Sequence, residues 1–172
     1  MNLADSDFEL FGLPERFGQD RGDIDERWKQ LQREAHPDRF ASQGAAAQRV
    51  AMQWSVRINE GYRRLKDPLQ RAVYLCELRG APIDAERNTA MPAEFLVEQM
   101  EWREALDDAS SEAALAAIEA KLQAARASML ERIGELLDVR GDAKAASEQV
   151  RALMFIERFG DDVHARQDQL GQ

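Results

Sequence analysis

Apolar residues in this chain return at steps of three and four, and that spacing, held over long stretches, admits little besides helix. Between 111 and 139 the positions Leu115, Ile118, Leu122, Ala125, Met129, Ile133 and Leu136 form one such seam, the pattern by which a helix packs lengthwise against a neighbour. From Asp23 the positions Ile24, Trp28, Leu31 and Ala35 repeat it, and after a break Val50, Trp54, Ile58, Tyr62 and Leu65 mark another helical face. Alternating runs of β-branched and aromatic residues, which half-buried strands require, are scarce, while Ala, Leu, Glu, Arg and Gln dominate. The expected fold class is all-α.

Helix breakers divide the pattern. Asp5 or Ser6 can cap a short first helix that holds Phe8 and Phe11 and ends at Gly12, before Pro14. The second helix stops at His36, because Pro37 disfavours helical geometry in the residue before it. The third ends near Asp67-Pro68, so helices two and three are expected to form an antiparallel hairpin. A short helix from Leu69 to Arg79 follows, and Gly80, Pro82 and Pro92 punctuate a turn-rich connection. Beyond it lie helices expected at about 93 to 109, 111 to 139 and 142 to 169. Joined by short turns, they suggest a small antiparallel bundle. The expected division is 1–75 for the hairpin with its short flanking helices, 76–92 for the end of the short helix and a linker, and 93–172 for the three-helix bundle. With 172 residues and 44% apolar composition, two small cores are within reach.

Charge is distributed unevenly. Residues 1–80 carry 13 basic and 13 acidic side chains, and residues 81–172 carry 10 and 19, so the net charge of -9 belongs to the second half. A phosphate backbone would be repelled there, and nucleic acid is not an expected partner. Cys76 stands alone in Val73-Tyr74-Leu75-Cys76, which excludes an intrachain disulfide and reads as a buried, inert thiol. MNLADSDFELFG has neither the basic nor the apolar region of a signal peptide, and no stretch approaches membrane-spanning length, so a soluble, cytoplasmic protein is expected.

His36-Pro37-Asp38 occupies the connection between two amphipathic helices. The proline removes a backbone donor and keeps its neighbours out of helical geometry, which stiffens the loop and turns its side chains outward. An exposed carboxylate in such a loop can accept a charge-assisted hydrogen bond from an arginine on a partner, and Asp38 is the candidate. Lys29 and Arg33 project away from the apolar stripe of helix two and make the neighbouring surface basic. Taken alone, the tripeptide also fits an ordinary helix-ending turn.

Its placement carries a resemblance. A short helix, a second helix ending in QREAHPDRF, and a third running into NEGYRRLKDP resemble the J domain of DnaJ-type co-chaperones over roughly residues 5 to 75. The resemblance implies that Lys29, Arg33, His36, Pro37 and Asp38 engage a DnaK-like ATPase chaperone and stimulate its ATP hydrolysis. Ala35 stands where many J domains have an aromatic residue, and Glu26 dilutes the basic face.

On the helix that begins near Ala93, the stripe Phe95, Trp102 and Leu106 suffices as a seam to the bundle. Leu96, Val97 and Met100 fall elsewhere on the helix, on the side of Glu101, Glu104 and Asp108. An apolar patch edged by acid is a common interface design, with burial supplying affinity and the rim selecting a basic partner. Periodicity alone equally allows these residues to contact the first domain or another bundle helix. The segments FLVEQMEWREALDD and RALMFIERF, with LFGLPERF near the start, resemble the HscB family of J-domain co-chaperones for iron-sulfur cluster biogenesis, and with the J domain the likeness spans nearly the whole chain. It implies that Leu96, Val97, Met100, Glu101, Glu104, Asp108 and Phe155 contact the IscU-type scaffold and that the ATPase is of the HscA type. Val97 and Asp108 replace larger side chains often found there. Some relatives, chiefly eukaryotic, carry an amino-terminal cysteine pair motif for zinc, which is absent here, so the bacterial form is expected.

Two histidines, no cysteine cluster and no glycine-rich phosphate loop supply no complete metal or nucleotide motif. Neither His36 with Asp38 nor His164 with Asp161 and Asp162 is paired in sequence with a nucleophile. Neither catalytic activity nor a cofactor is expected. The remaining alternatives are a J-domain protein with another client, one that dimerises through Leu96, Val97 and Met100, or a non-catalytic helical interaction protein.

Overall fold

Helices begin where a short polar side chain can accept from the first unpaired amides. In the computed structural model, which describes residues 2–171, Ser6 caps α1 (Asp7–Phe11) by accepting from the Glu9 amide at 3.1 Å. Asp5 instead accepts from the Asn2 amide. Asp20 caps α2 (Arg21–Ala35), which ends where His36 turns extended at φ -62° and ψ 129°. A short 3-10 segment (Pro37–Gln43) leads to α3 (Ala45–Lys66) and α4 (Pro68–Leu78). Ser111 and Asp142 cap α6 (Glu112–Gly134) and α7 (Ala143–Leu170), and α5 (Ala93–Asp108) starts directly after Pro92. Among the described residues every regular element is helical.

The chain divides into two compact units, Met1–Leu75 and Cys76–Gln172. In the first, α2 and α3 pack as a hairpin over Ile24, Leu31, Ala51, Ile58 and Leu65, closed at one end by Phe8 and Phe11 of α1. Trp28 stacks on Tyr62 with ring centroids 4.6 Å apart and donates its indole N–H to Asn59. The α3 face is rotated from the expected one, with Ala51 buried and Val50 52% exposed. The buried stripe runs through Ala51, Ile58, Gly61 and Leu65.

Asp7 is the polar anchor of this unit. Its fully buried carboxylate accepts from Arg57 at 2.7 Å and from Arg64 at 2.6 Å, while its amide donates to the Tyr74 hydroxyl at 2.9 Å. Arg57 and Arg64 stand two turns apart on α3, and both reach across Gly61. A Cβ at Gly61 would lie 3.0 Å from the Phe11 ring and 3.3 Å from the Asp7 carboxylate, so only glycine lets α1 settle this close.

In the second unit α6 lies along α7, and the expected α6 seam is in place, with Leu115, Ile118, Leu122 and Ile133 buried. The helix expected to reach 139 leaves α-geometry at Gly134 and closes in a π-helical turn over Glu135–Val139. Leu136 and Leu137 are both buried in that turn. The segment 76–92, expected as a helix end and linker, is tied to α7. Arg151, 4% exposed, donates to the carbonyls of Ile83, Ala90 and Pro82 at 3.0, 3.2 and 3.4 Å.

Cys76 is buried, and desolvation pushes its thiol up to about 11. The thiolate is the reactive species. Native protein at pH 8 is therefore expected to resist a disulfide-exchange reagent that labels the guanidinium-unfolded chain at once, as followed by absorbance. Rapid labelling of the native state would refute the burial.

Candidate interaction surfaces

The first surface forms where α2 stops. Pro37 occupies the first position of the 3-10 segment, and the His36 ring accepts from the Asp38 amide through Nδ1 at 3.2 Å. This folds the loop so that the Asp38 side chain is 93% exposed, its carboxylate 3.6 Å from the same imidazole nitrogen. Arg39 donates to the Arg33 carbonyl at 3.4 Å, occupying one of the orphan acceptors at the end of α2. Lys29 and Arg33 are both exposed on the helix leading into the loop. An aimed carboxylate beside two exposed cations can meet a partner that offers an arginine and acidic groups. Arg39 lacked a sequence signal, because its role depends on where the last turn of α2 places a carbonyl.

The second surface lies on α5. Phe95 and Trp102 are buried and pack edge to face at 5.7 Å, which fixes the helix on its expected seam. Leu96, Val97 and Met100 are left 44%, 60% and 70% exposed. Glu101, Glu104 and Asp108 are exposed on the same helix, as are Glu98 and Asp107, which the sequence reading passed over.

Phe155 is not part of that exposed face. It is 8% exposed, packed edge-on against Phe95 at 5.6 Å and stacked on Phe159 at 5.9 Å. Arg103 lays its guanidinium over the ring at 5.1 Å. Phe155 reaches solvent at the floor of a cleft of about 480 Å3, whose walls include Arg103, Asp107, Arg158 and Asp162. The buried stripe of α7 through Ala152, Phe155, Ile156 and Phe159 directs it inward.

His164 stands apart from both surfaces in sequence and in contacts, with Nε2 3.8 Å from Glu119 and Nδ1 3.1 Å from the Gln167 amide oxygen. It belongs to a surface network between α6 and α7. Among the described residues no group of three or more His, Cys, Asp or Glu side chains could hold a metal ion, and no helix is long and apolar enough to cross a membrane.

Comparison with known proteins gives this geometry a context. Residues 91–164 match the family described as the HSCB C-terminal oligomerisation domain. The Co-chaperone protein HscB homolog of Bordetella pertussis is 48% identical over 165 residues, covering 95% of this chain and 97% of the relative. That of Burkholderia multivorans is 49% identical over 173 residues, with 99% and 98% covered. Among solved structures, chaperone HscB from Vibrio cholerae superposes with a TM-score of 0.81 at 36% identity, covering 96% of this chain and 99% of that one. The human co-chaperone protein HscB gives 0.85 at 27% identity, covering 97% and 84%. Identity at this level over nearly the full length, on a J domain followed by a helical bundle, means that the chain belongs to the HscB family of co-chaperones.

Proposed function

We propose that this co-chaperone is an adaptor in iron-sulfur cluster biogenesis. It binds an IscU-type scaffold on α5, brings it to an HscA-type ATPase through the J domain, and stimulates ATP hydrolysis there. The observation that carries the reading is the exposed Leu96-Val97-Met100 patch on a helix whose core seam is already filled by Phe95 and Trp102. Exposed apolar area of this kind is costly in a free protein and is normally covered by a partner.

In this reading Leu96, Val97 and Met100 supply buried area, and Glu101, Glu104 and Asp108 meet a basic scaffold surface. Phe155 contributes from the floor of its cleft. Lys29, Arg33 and Asp38 meet the ATPase, with His36 and Pro37 holding the loop that presents Asp38. The chain forms no covalent intermediate of its own and works by bringing the two partners together. A cytoplasmic setting accords with these partners.

Leu96→Ala combined with Met100→Ala is expected to weaken scaffold binding by roughly tenfold or more, from the loss of two apolar anchors. Stimulation of the ATPase by the co-chaperone alone is expected to persist. Titration calorimetry against the scaffold and single-turnover hydrolysis separate the two quantities, and equal loss of both would contradict separate surfaces. The name of the matched domain favours one second reading, self-association through the α5 patch. Sedimentation of the same double variant decides it, since a dimer held by this patch would dissociate.

A further inference from the structure

The cleft above Phe155 carries its charges in an order that the apolar patch on α5 does not require. Arg103 and Asp107 of α5 and Arg158 and Asp162 of α7 edge it, and Leu106, Phe155 and Phe159 complete its lining. The two helices run in the same sense. Phe95 packs on Phe155, Trp102 stacks on Phe159, and Arg166 donates to the Ala109 carbonyl at 3.4 Å, so the paired residue numbers rise together. On each helix the arginine stands about one turn before the aspartate. The cleft is therefore cationic at one end and anionic at the other. All four charged residues are exposed, and among the described residues none of them enters an ion pair, Arg103 instead covering the Phe155 ring.

We infer that this cleft fixes the direction in which the scaffold lies on α5. It takes a scaffold segment with a carboxylate at the Arg103 and Arg158 end, an apolar side chain over the rings, and a cation at the Asp107 and Asp162 end. The inference rests on the proposed scaffold contact and adds Arg158 and Asp162 of α7 to it as residues that set specificity. Continuity selects the occupant. Leu96, Met100, Arg103 and Asp107 recur at helical steps and form one row on α5, so the row that begins in the exposed apolar patch ends at the edge of the cleft. A second copy of the chain is the poorer fit, since two such clefts face to face leave the lining of both unfilled. Burial of an apolar patch is non-directional and holds a partner equally well either way round. Two ends of opposite sign remove that freedom, because a reversed segment sets like charges against each other.

The test exchanges the two α7 charges in the full-length protein. Arg158→Asp combined with Asp162→Arg keeps the net charge and reverses the polarity of one wall. Both residues are exposed, so the melting temperature is expected to stay that of the native chain. Titration calorimetry against the IscU-type scaffold is expected to give about tenfold weaker binding, while Arg158→Lys, which keeps the charge, stays within about twofold of native. Native affinity in the exchanged variant, with Leu96→Ala plus Met100→Ala still weakened, would overturn the inference and leave the scaffold contact standing. If the apolar double variant also binds as the native chain does, the scaffold contact itself is wrong and the inference falls with it. A second copy in the cleft would appear in sedimentation velocity as a dimer that survives the exchange, because an α7 wall of reversed polarity still complements its own two-fold mate. Such a dimer, together with native scaffold affinity, would also overturn the inference.

Discussion

Replacing Asp38 with alanine is expected to abolish stimulation of the partner ATPase while leaving the fold and scaffold binding unchanged. The side chain is 93% exposed, and its near neighbour is the His36 ring at 3.6 Å. An exposed pair of this kind contributes little to stability, and surface substitutions away from packed features stay within about 0.5 kcal/mol. The His36 ring accepts from the Asp38 amide, which alanine retains, so the loop geometry survives. What disappears is the one carboxylate aimed outward from the segment, with its capacity for a bidentate contact to an arginine. Single-turnover hydrolysis by the HscA-type ATPase, with the co-chaperone, the scaffold and both, is the measurement. Synergy present with the native chain and absent with Asp38→Ala would support the adaptor reading. Stimulation without synergy would reassign the client, and undiminished stimulation by the variant would reduce His-Pro-Asp to a turn.

The second large effect concerns stability. Asp7→Asn is expected to destabilise the first unit by about 3 kcal/mol, the low end of the cost of breaking a buried ion pair. The Asp7 carboxylate is fully buried between two guanidiniums, whose side chains retain 15% and 37% exposure. Their residual access to water keeps the loss from being larger. Arg57 also holds the Asp5 carbonyl at 2.8 Å, so a weakened Asp7 contact loosens the entry to α1 as well. Hydrogen exchange on the full chain reads this directly. Amides of α1, α2 and α3 should lose protection by about two orders of magnitude, at 1.4 kcal/mol per tenfold. Amides of α6 and α7 should hold theirs. Uniform loss across the chain, or none, would show that Asp7 does not anchor the first unit in the way its contacts suggest.

The exposure of the α5 patch was legible in outline, because a helix needs one apolar stripe for its seam and Phe95, Trp102 and Leu106 already provide it. Phe155 was not legible in the same way. Its place on α7 does not say whether a ring stands at the surface or below it, and the opposing Phe95 and the overlying Arg103 decide that. Asp7 was missed for a related reason. An acidic residue in a short first helix looks solvated until α3 brings Arg57 and Arg64 to it, and the signal that could have found it is their spacing across Gly61. Val50 shows the limit of periodicity: two neighbouring positions on α3 compete for one face, and the packing of α2 on α3 leaves Ala51 buried and Val50 exposed.

The amino-acid sequence by itself determined the helical class, the helix order, the breaks at His36-Pro37, Asp67-Pro68 and Arg140-Gly141-Asp142, and the seam of α6. These depend on local geometry and on the period of apolar residues, both of which are properties of neighbouring positions along the chain. Only the tertiary structure decided that Arg151 gathers the carbonyls of segment 76–92, that α6 closes in a π-turn holding the buried Leu136 and Leu137, and that Val50 stays exposed beside the buried Ala51. Each of those depends on the distance between helices, which side-chain volumes from separate parts of the chain set together and which no local pattern encodes.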